Sequence, residues 1–158
     1  MKKILVPILM LVGSAGAADF VEDAATVNDF LDLLQISEDN ARQGKIVEWD
    51  AYMNDRGEQV CYYSMDLEYD SDGNPIKILN LYNYFDPDTK EINLIGVDIL
   101  HPEGDKWIID DVFVSYLDGG KIYVELQDAD GNLVEGAYKK WSSKKGFAKF
   151  LNAPYCGE

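Results

Sequence analysis

From residue 46 onward the chain alternates. Cys61, Tyr63, Met65, Leu67 and Tyr69 fall on one side of an extended segment, and Tyr62, Ser64, Asp66 and Glu68 on the other. A period of two is the mark of a β-strand. Turn signals then recur at regular intervals: Asp72-Gly73-Asn74-Pro75, Asp86-Pro87-Asp88, Pro102-Glu103-Gly104-Asp105, Asp118-Gly119-Gly120 and Asp130-Gly131-Asn132. Short turns join antiparallel neighbours, whereas parallel strands need long crossovers. The pattern predicts a mainly antiparallel meander of about six or seven strands.

The middle strands are apolar on both faces. Ile78, Tyr82 and Tyr84 oppose Leu79, Leu81 and Phe85, while Ile108, Val112 and Val114 oppose Trp107, Ile109 and Phe113. A sheet wetted on one side alternates cleanly, so both sides of this one are covered. Val27, Phe30, Leu31 and Leu34 recur at helical spacing, and Thr26 followed by Asp29 has the form of a capping box with Asp in the Glu position. Ser37 to Gln43 can add a second short helix, closed by Gly44. At the other end, Ser143 can cap a short helix with Phe147, Phe150 and Leu151 as its buried stripe. The fold class expected is therefore α+β. An N-terminal helix or short helical hairpin packs on the meander, a short C-terminal helix follows, and one disulfide ties the whole.

Residues 1–17 read as a leader. Lys2 and Lys3 precede the apolar run Ile4 to Val12, and Ala15 and Ala17 stand in the relation a signal peptidase requires. Cleavage after Ala17 leaves residues 18–158 as a single domain, and cleavage after Ala18 is nearly as good. The short lysine start and apolar run are of bacterial type, so the expected location is periplasmic or secreted. In an oxidising compartment Cys61 and Cys156 are expected to pair. The bridge would close about 95 residues and contribute up to ~4.7 kcal/mol on the chain-entropy account.

Charge excludes several functions. The formal net charge is −15, which opposes binding to nucleic acid, where phosphate contacts need a basic face. No apolar run after the leader is long enough for a membrane span. Residues 19–138 carry 28 acidic and 7 basic side chains. The last twenty residues reverse the sign with Lys139, Lys140, Lys144, Lys145 and Lys149 against Glu158. These lysines offset the acidic body or meet an anionic partner. No P-loop, dinucleotide fingerprint, zinc-protease, nucleophile-elbow or C-x-x-C motif is present, and no cofactor or metal is expected.

Three groups are candidates for chemistry. Asp70-Ser71-Asp72-Gly73-Asn74 and Asp128-Ala129-Asp130-Gly131-Asn132 share D-x-D-G-N, but Gly stands too early for a helix-flanked calcium loop and suits a hairpin turn. Asp98, His101, Asp110 and Asp111 form the second group. A hairpin about Glu103-Gly104 would set Asp98 opposite Ile109 and on one face with Asp111. A one-residue slip would substitute Asp110. Two carboxylates so placed could share a proton, as glycoside hydrolysis requires, or hold a cation. The third group, Asn80-Leu81-Tyr82-Asn83-Tyr84-Phe85, mixes rings and amides as sugar sites and tyrosine-rich interfaces do.

The function expected first is that of an exported, non-enzymatic binding protein whose acidic surface recognises a basic partner protein, as an inhibitor of an envelope hydrolase or toxin would. The alternative is a pocket for a small ligand or glycan, to which Tyr82, Tyr84, Trp107 and Phe113 would contribute. A small hydrolase using Asp98 with Asp110 or Asp111 comes third. The candidate binding residues are Tyr82, Tyr84, Asp98, His101, Asp110 and Asp111.

Overall fold

A computed structural model describes residues 20–140. The expected leader, the expected C-terminal helix and Cys156 lie outside the described residues. The chain forms β1 (Phe20–Glu22), α1 (Ala24–Arg42), β2 (Ile46–Met53), β3 (Gln59–Tyr69), β4 (Pro75–Phe85), β5 (Ile92–Glu103), β6 (Lys106–Asp118), β7 (Lys121–Gln127) and β8 (Leu133–Lys140).

The helix starts earlier than the capping-box reading places it. Asp23 is the cap: its Oδ1 accepts from the Ala25 and Thr26 amides at 2.8 and 3.2 Å, and its Oδ2 accepts from the Thr26 hydroxyl at 2.7 Å. Thr26 is thus a capped residue, because an Asx side chain just ahead of Ala24 and Ala25 satisfies the first free amides. The hairpin alternative also falls. Ser37 Oγ donates to the Leu33 carbonyl at 2.9 Å, so its hydroxyl is satisfied inside a continuous helix. Gly44 ends it with φ +73°. Its amide bonds the Ala41 carbonyl, and that of Lys45 bonds the Asn40 carbonyl, the paired bonds of a Schellman motif.

Among the described residues the sheet has eight strands in the order β1-β8-β7-β6-β5-β4-β3-β2. Strands β2 to β8 are the meander, antiparallel throughout. The strand beyond the expected number is β1, three residues pairing in parallel with β8. All five turn signals fall at hairpins. In three of them an aspartate is bound by its own loop: Asp70 Oδ1 accepts from the amides of Asp72 and Asn74 and Asp128 Oδ1 from those of Asp130 and Asn132, all at 2.9 Å, and Asp86 Oδ1 from those of Asp88 and Thr89 at 2.8 and 2.9 Å. The D-x-D-G-N repeats are Asx turns.

Both faces are buried. Val27, Phe30 and Leu34 of α1 pack with Met65, Leu79, Val97, Phe113 and Val124 on the first face. The second cluster consists of strand residues, Val60, Tyr62, Tyr82, Tyr84, Leu94, Val112 and Val114, with Tyr52 and Ile109 at its margin. Tyr82 and Phe113 therefore sit on opposite faces and cannot line one pocket. No helix among the described residues is long and apolar enough to cross a membrane.

Candidate functional site

The hairpin of β5 and β6 decides the site. Asp98 pairs with Val112 and Ile99 with Asp111, but Leu100 pairs with Ile109, so Asp110 is an extra residue in a bulge. His101 pairs with Ile108. Asp111 lies with Ile99 on the helix side, and the Asp110 carboxylate shares a 2.8 Å hydrogen bond with His101 Nδ1. Beyond the bulge the faces exchange, which places Ile109 in the second cluster rather than opposite Val112. The expected pairing of Asp98 with Asp110 or Asp111 does not occur. His101, Asp110 and Asp111 form a solvent-facing group, with the Glu103 carboxylate 3.9 Å from His101 Nε2.

Asp98 points the other way, with Tyr82 and Tyr84. Cross-strand pairing sets Ser64, Asn80 and Asp98 in one row over β3, β4 and β5, and continues it through Val112 to Gln127. The next row runs Tyr62, Tyr82, Gly96, Val114, Glu125. Asn80, Asp98 and Glu125 are each 0% exposed. The Tyr62 hydroxyl donates to Asn80 Oδ1 at 3.4 Å, and Gln127 Nε2 donates to Glu125 Oε1 at 3.0 Å. The tilted Tyr62 and Tyr82 rings are 5.1 Å apart.

What distinguishes this face is unmet hydrogen bonding. Asn80 Nδ2, the Tyr82 hydroxyl, both Asp98 oxygens, Glu125 Oε2 and Gln127 Oε1 are buried without a hydrogen-bond partner. A polar group buried without a partner is costly, so this face calls for complementary groups. Four of the six are carboxylate or amide oxygens, which accept. The face is therefore short of donors.

Burial raises the Asp98 carboxyl to about 7, with the Tyr82 hydroxyl nearby easing its ionisation slightly. Near neutrality the neutral and charged forms coexist. Burial likewise raises Glu125, against its bond from Gln127, and raises Tyr62 to about 12. Tyr82 and Tyr84 are raised too, first by burial and then by neighbouring charge and hydroxyls.

Ser64, Glu125 and Gln127 were not among the sequence candidates for a site, whereas Asn80 belonged to the ring-and-amide group. A signal existed in Gly96-Val97-Asp98-Ile99-Leu100 and Ile122-Tyr123-Val124-Glu125-Leu126, where a lone acid interrupts an apolar run. Comparison with family models, with curated proteins and with solved structures gives no match for this chain.

Proposed function

We propose that the chain is an exported, non-enzymatic binding protein that holds a small cation with an aliphatic body on the second face of its sheet. The observation that carries the reading is the wholly buried Asp98 carboxylate, which among the described residues has no charged partner and only the Tyr82 hydroxyl close by to meet its oxygens. Acceptors outnumber donors around it, so a complementary guest brings N–H groups. Val112 and Val114 lie between Asp98 and the Glu125–Gln127 pair, which stand two strand spacings apart, roughly 10 Å. A linear diamine matches that sequence of acid, apolar floor and acid, and the Tyr62 and Tyr82 rings favour an ammonium group.

Export is supported by the leader pattern of residues 1–17, and a Cys61–Cys156 bridge follows from it. Basic-partner recognition is supported by a separate surface, the edge strand β2. The hydrolase is the weaker reading, since the bulge parts Asp98 from Asp110 and Asp111.

Calorimetric titration with 1,4-diaminobutane tests the proposal. Saturable binding by the native chain, lost in Asp98→Asn and absent for a neutral polyol of similar length, is the expected result. A high-resolution crystal structure with ordered water on both Asp98 oxygens, together with no diamine binding, would overturn it.

A further inference from the structure

We propose that β2 is a strand-addition site for an extended segment of a partner protein in which apolar and basic residues alternate. It stands at the end of the sheet, and among the described residues β3 alone pairs with it. Its outer edge thus offers main-chain groups to another strand, which would compete with the Asp50 carboxylate, whose Oδ1 accepts from the Ala51 amide at 2.8 Å. The side chains specify which strand. Trp49 pairs with Tyr63 and Met53 with Gln59 on the helix side, and Val47 is the bulged residue between them and Ile46. Trp49, Val47 and Met53 are 64%, 61% and 60% exposed, an unusual amount of apolar surface for one short strand. Glu48 and Asp50 pair with Ser64 and Tyr62 on the opposite side, and Asp50 is exposed.

An added strand alternates in step with β2. Its side chains on the helix side would lie against Trp49 and Met53, and those on the other side beside Glu48 and Asp50. At the start of β2 a cleft of about 410 Å³, bordered by Ile36, Ile46, Val47, Leu67 and Tyr69 with Asn40, Lys45 and Asp66 also lining it, can take one anchor side chain of the added strand. A second copy of this chain is disfavoured, because two β2 edges would set like charges opposite each other. The acidic excess of the body draws a basic partner to the same edge. This surface is independent of the internal cation site, and either can fail without the other.

The test uses the full chain and a synthetic peptide of about ten alternating Lys and Val residues. Two controls accompany it: the same residues in separate Lys and Val blocks, and the alternating peptide with every second amide N-methylated. The alternating peptide should bind, with both controls about tenfold weaker or worse. Trp49→Ala and Asp50→Lys, both at exposed positions, should each weaken binding by a similar factor and leave the circular dichroism spectrum unchanged. Equal binding of all three peptides would reduce the effect to charge attraction and overturn the proposal. So would unaffected variants, no binding, or self-association abolished by Trp49→Ala.

Discussion

Asn80 and Asp98 face each other across β4 and β5, both wholly buried, and the Asn80 Nδ2 and both Asp98 oxygens have no partner. An amide and a carboxyl placed this way, beside Ser64, Glu125 and Gln127 and among Tyr, Val and Leu side chains, make the region sensitive to pH.

Asp98 sets the sign of the pH dependence above the ordinary carboxylate range. Its carboxyl is raised from 3.8 to about 7, so the folded chain holds a proton that the unfolded chain releases in that interval. Stability should fall as pH rises from about 4 to 7, by an amount on the order of 4 kcal/mol, and then level off. Asp98→Asn should flatten that slope in denaturant titrations. Equal slopes in the two proteins would show that Asp98 is not the group responsible.

Four aspartates act in the opposite direction at lower pH. Asp23 is lowered first by the Thr26 hydroxyl, and Asp70, Asp86 and Asp128 by the amides of Asn74, Thr89 and Asn132 respectively. Their contribution is present above the ordinary carboxylate value of 3.8 and is lost as pH falls through their lowered values. Acid unfolding should therefore begin below pH 3.8. Asp23→Ala should shift its midpoint upward, read by circular dichroism, because the helix loses its cap.

The attachment of β1 rests on a close approach. A Cβ on Gly136 would meet the Phe20 ring at 3.0–3.1 Å, and Phe20 also packs edge-on to Tyr123 at 5.4 Å. Gly136→Ala should destabilise by about 1–3 kcal/mol. Its effect should shrink in a Phe20→Ala background, a coupling that a double-mutant cycle reads directly.

Phe30 and Trp49 make a contrasting pair. Phe30 is fully buried beneath α1, with its ring 6.4 Å from Phe113, and Phe30→Ala should cost about 3–5 kcal/mol. Trp49→Ala should stay within about 0.5 kcal/mol of the native chain. Comparable losses in thermal melts would mean that Trp49 is packed and β2 is not a free docking strand.

Much of the architecture was legible because local signals are strong here. The alternation at Cys61–Tyr69 and the five turn signals place the hairpins, since Gly, Asn and Asp serve positive-φ positions that few other residues accept. Gly73 and Gly131, at φ +85° and +87°, are examples. What the chain concealed was register. One extra residue, Asp110, turns His101, Asp110 and Asp111 to one face and leaves Asp98 on the other, because a single-residue shift exchanges every side chain beyond it. Strand β1 was hidden for another reason: three residues carry no period, and their partner β8 is more than a hundred positions away. The polar cluster was half visible, in that Asn80, Tyr82, Tyr84 and Asp98 were marked. Its other members become neighbours through pairing over five strands, which no local pattern encodes.

The most direct test is to follow the Asp98 side-chain carboxyl by carbon-13 NMR through a pH titration, with and without 1,4-diaminobutane. The midpoint should lie near 7 in the free protein and shift clearly downward when the diamine is present, as an ammonium group stabilises the carboxylate. A midpoint in the ordinary carboxylate range, or one that the diamine leaves in place, would contradict a cation site at Asp98.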